Sequence, residues 1–416
     1  MGCGSSKVAA APAASLYAGP PASAKAAPGK ENVRKSTAKP DLRRGRSLLG
    51  EMDESVIDAL EKGTLRLVST DFLLGCPDGY KLPRLQELEA QPRALLAPQK
   101  AADLMRGGER QVLVLSYGWL SMGDPDPQGK RFEAVKEALA WFKANNLLRT
   151  GAGLFWDFGS LPQKPRTPAE DATFKEGLRV MANLYASAIG TAVLQLKRIP
   201  PCPKEAVGAI RVCRIPSGFA TKTALTKAFA SVGEVTDVVV RGADEATVVY
   251  RTKESAAKAL WYNRRTLGLS EDVYLCSEYN DRAYDNRGWC AFENSVSLEF
   301  LSRSVKPGNE EMKAIMDAPS MRKMYQIGTP GGAPEPVSPS GPQDKQAVQK
   351  RIEAASFIGK ADQKLVLDMY KKFQLDGAHA ASQFGAGDVA KHNVKARQAL
   401  AEEMAAKRLQ AAQRAR

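Results

Sequence analysis

Three short, almost continuously apolar runs constrain this chain more than any other feature: Val112 to Tyr117 (VLVLSY), Gly153 to Phe158 (GLFWDF) and Thr191 to Leu196 (TAVLQL). A strand with one wet face alternates apolar and polar residues, whereas a run with almost no polar positions must be covered on both faces, as parallel strands are. Between the runs lie two amphipathic stretches, one with Phe132, Val135, Leu139 and Phe142 on a shared helical face, the other with Phe174, Leu178, Met181 and Tyr185. Strand, helix, strand, helix, strand, with crossovers long enough for parallel pairing, predicts a doubly wound α/β domain beginning near residue 110. Ligands in such sheets sit at the carboxyl ends of the strands. Those ends carry Ser116, Tyr117 and Trp119 after the first strand, then Asp157, Ser160 and Gln163 after the second. Downstream, Met312 to Ile327 reads as helix, and no further strong apolar strand follows.

The stretch Asn286 to Glu293 (NRGWCAFE) opens another helix, in which Trp289, Phe292, Val296 and Phe300 fall on one apolar stripe. Glu293 falls inside that stripe. A buried carboxylate without a partner is costly, so such a glutamate is paired, protonated, or turned toward a cleft where a ligand meets it.

These blocks resemble a TIR domain, and also the fungal heterokaryon-incompatibility domain, a TIR relative. The matching residues are Leu115-Ser116-Tyr117-Gly118-Trp119, Phe155-Trp156-Asp157 and Arg287-Gly288-Trp289-Cys290-Ala291-Phe292-Glu293, and the resemblance covers roughly residues 110–197 and 283–303. It implies a flavodoxin-like parallel sheet of five strands, of which three are legible. In enzymatic TIR domains the glutamate of this helix is the catalytic residue of NAD cleavage, and the match carries that role to Glu293. Cleavage of the nicotinamide–ribose bond passes through an oxocarbenium-like state, which a neighbouring carboxylate stabilises. Ser116, Tyr117, Trp119, Asp157 and Trp289 then form the expected substrate site. Tyr117 or Trp119 stacks on a flat ring, or packs as core; Asp157 orients a hydroxyl, or caps the following turn. NAD enters only as a substrate, and neither a cofactor nor a metal is called for.

Other chemistries are excluded. The two histidines, His379 and His392, lie near the C-terminus, so neither a Ser-His-Asp triad nor a His-ligated zinc can be built in the α/β region. There is no GxGxxG after a strand and no P-loop. The six cysteines show no CxxC pairing, consistent with a reducing compartment.

The α/β region is interrupted from about Ala209 to Glu278 by a βαββαβ pattern of its own. It resembles an RNA recognition motif, a ferredoxin-like fold. The positions where that family displays stacking aromatics hold Arg211, Glu245 and Thr247 here, so the platform is missing. Arg211, Arg214 and Tyr250 remain as candidate RNA contacts, against a protein-contact role for the module.

The start, Met1-Gly2-Cys3-Gly4-Ser5-Ser6, fits N-myristoylation at Gly2, with Cys3 available for palmitate. Residues 1–50 carry nine Lys and Arg against two acids, a net of +7 out of the chain's +14. Two acyl chains and a basic arm favour an anionic inner leaflet. An Ala- and Ser-rich organelle transit peptide is the alternative. The expected organisation is a disordered acylated arm (1–47), a partly helical extension (48–109), the two α/β parts (110–200 and 283–327) around the insertion (208–278), a Gly/Pro linker (328–343) and a helical C-terminal region (344–416). The last part includes a continuous helix from Gln349 to Phe373 and a basic one from Lys391. Two functions follow: a lipid-anchored TIR-like signalling enzyme that cleaves NAD or a related nucleotide, or a membrane-tethered adaptor acting through protein contacts, self-association or RNA. In the second, Glu293 is an internal salt-bridge partner, with Arg287 as the expected cation.

Overall fold

Residues Val112 and Val114 turn to one side of a sheet and Leu113, Leu115 and Tyr117 to the other, and all five are buried. That double burial is what the unbroken apolar run requires. The computed structural model describes residues 51–384 apart from 263, 305–316, 318, 330–331, 340–343 and 358–359. Gly2, Cys3, the rest of the basic arm and the basic C-terminal segment therefore lie outside the described residues.

In chain order the elements are α1 (Glu51–Glu61), β1 (Val68–Ser69), α2 (Thr70–Gly75), α3 (Leu85–Leu88), α4 (Pro98–Gly107), β2 (Val112–Tyr117), α5 (Lys130–Ala144), β3 (Gly153–Phe155), α6 (Asp157–Ser160), α7 (Pro168–Ala186) and β4 (Thr191–Leu196). Then come β5 (Ala209–Cys213), α8 (Lys222–Phe229), β6 (Val235–Val240), β7 (Glu245–Tyr250), α9 (Lys253–Trp261) and β8 (Tyr274–Ser277). Last are α10 (Gly288–Ser304), β9 (Met324–Gln326), β10 (Glu335–Pro336), α11 (Lys345–Ala354) and α12 (Lys360–Phe384).

The protein is mixed α/β. Its larger sheet runs β1-β3-β2-β4-β9-β10, with β3, β2, β4 and β9 parallel and the two-residue edge strands β1 and β10 antiparallel. Taken in chain order, the parallel strands stand 2-1-3-4, so the winding reverses between β2 and β4. One face is covered by α1, α4, α7, α10, α11 and α12, the other mainly by α2, α3 and α5. Local signals set the helix ends: α7 opens with a full capping box from Thr167 and Glu170 and with Pro168 in its first turn.

Several expectations change. The stretch expected as helix up to Ile327 places Met324–Gln326 as a fourth parallel strand beside β4. Its side chains fill both layers, Met324 one and Tyr325 the other, which a strand permits and a one-faced helix does not. Within the expected Gly/Pro linker, Glu335–Pro336 pairs with β9 as an edge strand. The extension before residue 110 supplies β1 and so belongs to the sheet itself. The continuous C-terminal helix is broken between α11 and α12, where Ser356 accepts from Gly288 N–H at 3.0 Å and donates its own N–H to Asn286 O at 2.9 Å. That break delivers Phe357 onto Gly288, where a Cβ would lie 2.0 Å from the ring.

The insertion forms an antiparallel four-stranded sheet in the order β6-β7-β5-β8 with α8 and α9 on one face. Its core of Ile210, Val212, Leu225, Phe229, Val248, Tyr250 and Leu275 is separate from those of the larger sheet. Truncating Phe229 to Ala, in the middle of that core, is expected to cost about 3–5 kcal/mol locally. Hydrogen exchange should then accelerate at Ile210 and Val248 while Val114 and Val193 keep their protection; equal loss in both sheets would show that the two cores are one cooperative unit.

Candidate functional site

The reversal of winding places the carboxyl ends of β2 and β4 side by side, and both carry a polar residue at a position that otherwise demands an apolar one: Ser116 and Gln195, each 0% exposed. They face the layer that contains α10, whose Glu293 comes down to meet them. Ser116 Oγ donates to Glu293 Oε2 at 2.5 Å and lies 2.6 Å from Tyr284 OH. Gln195 Nε2 donates to Asn294 Oδ1 at 2.7 Å and approaches Tyr284 OH at 3.5 Å. Tyr185, from α7, donates its hydroxyl to Leu115 O at 2.8 Å beside the same carboxyl.

A second cluster belongs to the next residue along. Alternation turns Tyr117 to the opposite face from Ser116. Its hydroxyl donates to Asp157 Oδ1 at 2.8 Å, and Trp119 Nε1 donates to Asp157 Oδ2 at 2.9 Å. Asp157 opens α6 at the end of β3. Tyr117 also packs edge-on against Trp156, with ring centroids 5.8 Å apart. The structure thus brings Ser116 to Glu293, and Tyr117 and Trp119 to Asp157, as two adjoining clusters at the end of β2. Trp289 joins neither. It packs edge-on against Phe292 in the apolar layer of α10, α7, α11 and α12.

Burial dominates the electrostatics. Glu293 is 8% exposed, and desolvation pushes its carboxyl up to about 8, with the nearby Asp157 opposing ionisation and the Ser116 hydroxyl favouring it. Asp157 is raised by burial as well, an effect opposed by its bonds to Tyr117 and Trp119. Ionisation of Glu293 at neutral pH has to overcome a low-dielectric site with no cation against the carboxyl.

The cation expected beside Glu293 is employed elsewhere. Arg287 donates to three backbone carbonyls: Nε to Arg282 O at 2.8 Å, one terminal nitrogen to Trp119 O at 2.6 Å, the other to Asn280 O at 2.7 Å. Burial lowers its pKa to about 10. Its guanidinium fills the space over Gly118, where a Cβ would come within 2.5 Å. Arg131, 1% exposed, holds the same loop from the other side through Gly118 O at 3.1 Å and Arg198 O. The expected Glu293–Arg287 pair is therefore replaced by a carboxyl–hydroxyl contact and a loop clamp, because the forked guanidinium reaches three carbonyls that nothing else satisfies.

The carboxyl cluster is shut. A cavity of about 200 Å³ lies beside Trp119, walled by Met122, Leu260, Tyr274, Cys276, Arg282 and Phe357 among others, but Ser116, Tyr117, Asp157 and Glu293 are not in its wall. Among the described residues no group of three or more His, Cys, Asp or Glu side chains stands ready to hold a metal ion.

Two of the three candidate RNA contacts, Arg211 and Tyr250, are committed to the protein. Arg211 pairs with Glu278 at 3.2 Å and Glu245 at 3.3 Å and donates to Met122 O at 2.6 Å, so the outer face of the inserted sheet is docked on the loop after β2. Tyr250 is buried, with its hydroxyl donating to Phe229 O at 3.3 Å. Arg214 alone of the three is exposed, at a left-handed φ of +61°. The pairing of Arg211 and the inward turn of Tyr250 remove those two side chains from an RNA-facing surface.

Sequence reasoning missed Tyr284, Gln195 and Asn294. The available signal was the lone glutamine in TAVLQL, a polar side chain in a run that has to be buried on both faces. Nothing in the sequence marked Tyr284, which reaches Ser116 only through the fold. No protein-family model matches the chain, and no curated protein or solved structure matches it either.

Two outcomes test this site. Because burial raises the folded-state pKa of Glu293 above its unfolded value, the folded chain keeps a proton that the unfolded chain releases. Its stabilising contribution is full below about pH 4.5 and is lost as the pH climbs through about 8. The loss across that window is about 5 kcal/mol at most. Denaturant titrations should show Glu293→Gln flattening this fall and matching or exceeding wild type at pH 8; a profile identical to wild type would remove the proton from the account. Arg287→Lys should destabilise nearly as much as Arg287→Ala, about 2–4 kcal/mol by chemical denaturation, since one ammonium cannot satisfy three separated carbonyls. A lysine variant as stable as wild type would refute the clamp.

Proposed function

We propose that this chain is a membrane-tethered signalling protein of TIR-like architecture that acts through protein contacts, with its strand-end site held closed. One observation carries the reading: Glu293 sits at the β2/β4 reversal without a cation partner, yet is sealed by Ser116, Tyr284 and Tyr185 and is absent from the wall of the neighbouring cavity. The parallel order 2-1-3-4 and the glutamate on α10 support a flavodoxin-like, TIR-like ancestry for the larger sheet. The β6-β7-β5-β8 order supports a ferredoxin-like, RRM-like insertion that has become an internal contact surface. Attachment rests on the Gly2 and Cys3 signals with the basic arm, which favour the cytoplasmic face of a membrane. No helix among the described residues is long and apolar enough to cross one.

A second reading, cleavage of NAD at the nicotinamide–ribose bond, draws on one specific feature. A buried carboxyl on α10 and a half-buried one at the end of β3, both with raised pKa, are the kind of pair that serves acid and base roles. In that reading Glu293 meets the ribose only after the segment around Tyr284 withdraws, and Trp119 or Tyr117 receives a flat ring.

Incubation of the purified protein with NAD at high concentration, with free nicotinamide followed over time, separates the two. The closed, contact-based function predicts no release by wild type at neutral pH. Release that disappears in Glu293→Ala would overturn it and establish the enzyme.

A further inference from the structure

The edge strand β1, where it pairs with the amino end of β3, borders a larger cavity that the strand-end site does not use. Its volume is about 710 Å³, inside the range of roughly 300–1,000 Å³ typical of small-molecule sites. Its walls come from α2 and the loop after it and from the segment leading into α4. Phe72 and Tyr80 give it an aromatic wall, packed edge to face with ring centroids 6.2 Å apart, and Leu95 and Pro77 extend the apolar lining.

The charged part of the wall is unbalanced. Arg93 and Lys100 both line the cavity and are exposed, and neither has an ion-pair or hydrogen-bond partner among the described residues. Lys100 Nζ lies over the turn before β3, where a Cβ on Gly151 would come within 2.5 Å of it. Asp71 is the sole carboxylate in the wall, and it is already satisfied: Oδ2 accepts the Gly151 N–H at 2.6 Å and Oδ1 meets Lys143 Nζ at 3.3 Å. Arg93 is held at φ +64°, a backbone that a non-glycine residue adopts at a cost. The same wall includes the start of α4, whose N-cap Ala97 has no capping side chain, so the helix end adds partial positive charge of the same sign.

An aromatic lining with two unneutralised cations at one side fits neither a purely apolar guest nor a cation. We infer that this cavity binds a small organic anion with a flat apolar body, the class represented by a nucleoside monophosphate, its ring against Phe72 and Tyr80 and its anionic group at Arg93 and Lys100. The inference is independent of the Glu293 site, since no residue is shared between them.

Calorimetric titration of the whole protein with AMP, adenosine and inorganic phosphate tests it. AMP should bind more tightly than either fragment, and more weakly as salt is raised. The double variant Arg93→Gln/Lys100→Gln should weaken AMP at least roughly tenfold while its melting temperature without ligand stays that of wild type, because both side chains are exposed and unpaired. A second readout locates the ligand. Phe72 and Gly75 line the cavity, so AMP should shift their backbone amide resonances in a nitrogen–proton correlation spectrum and leave those of Val212 and Val248 unchanged. The proposal is overturned if wild type fails to bind AMP at millimolar concentration, if the double variant binds it undiminished, if phosphate alone binds as tightly, or if no resonance of the cavity wall shifts.

Discussion

The Ser116 hydroxyl donates to the Glu293 carboxyl at 2.5 Å across the end of β2 and so joins α10 to the sheet where its winding reverses. A carboxyl placed there has either to find a cation or keep its proton, because the surrounding strands and helices leave it little access to water. Burial pushes the Glu293 carboxyl up to about 8, which favours the second course. A protonated carboxyl needs neighbours that both donate and accept, and hydroxyl groups are the side chains that do so without charge. Ser116, Tyr284 and Tyr185 are all hydroxyls, which is why the cluster closes on itself without an ion pair.

The second constraint follows from the first. If no cation serves Glu293, the buried guanidiniums nearby must be satisfied by something else, and what remains is backbone. Arg287 and Arg131 together hold the carbonyls of Gly118, Trp119, Arg198, Asn280 and Arg282. They tie the loop after β2 to the segments entering and leaving the inserted module. Arg287 and Arg131 spend their donors on backbone carbonyls, and burial still lowers the pKa of both guanidiniums.

Much of the fold was legible because it depends on burial on two faces. The runs VLVLSY and TAVLQL could be nothing but covered strands, and the module's βαββαβ order was readable from alternation and helix spacing alone. Short elements were not legible. Met324–Gln326 is a strand only because it lies beside β4, and three residues carry too little periodicity to declare themselves. At the site, Ser116, Asp157 and Glu293 were identified from their positions at strand and helix ends. The partners were not: Arg287, the nearest cation in sequence, has a geometry that suits carbonyls, and Tyr284 becomes a neighbour of Ser116 only through contacts 168 residues apart. Sequence spacing predicts which face a side chain occupies, but not which of several polar groups on that face meet.

The position of the insertion explains why the carboxyl end is closed. In a doubly wound sheet, the connection after the third strand passes the mouth where a ligand would enter, and it is this connection that carries β5 through β8. The module and the segment leaving it dock on the loop after β2 by polar contacts, Arg211 to Met122 O at 2.6 Å and Asn280 N–H to Leu120 O at 2.7 Å, while the Tyr279 hydroxyl ties that segment to Pro200 O at 2.8 Å after β4. Alongside them the 200 Å³ cavity beside Trp119 remains unfilled. Such an interface differs from the close apolar layers on either face of the larger sheet, since hydrogen bonds to carbonyls can be exchanged for water at little net cost, whereas an opened core cannot. On the side facing the module, the Arg287 clamp rather than apolar packing holds the Asn280–Arg287 segment beside the Glu293 cluster.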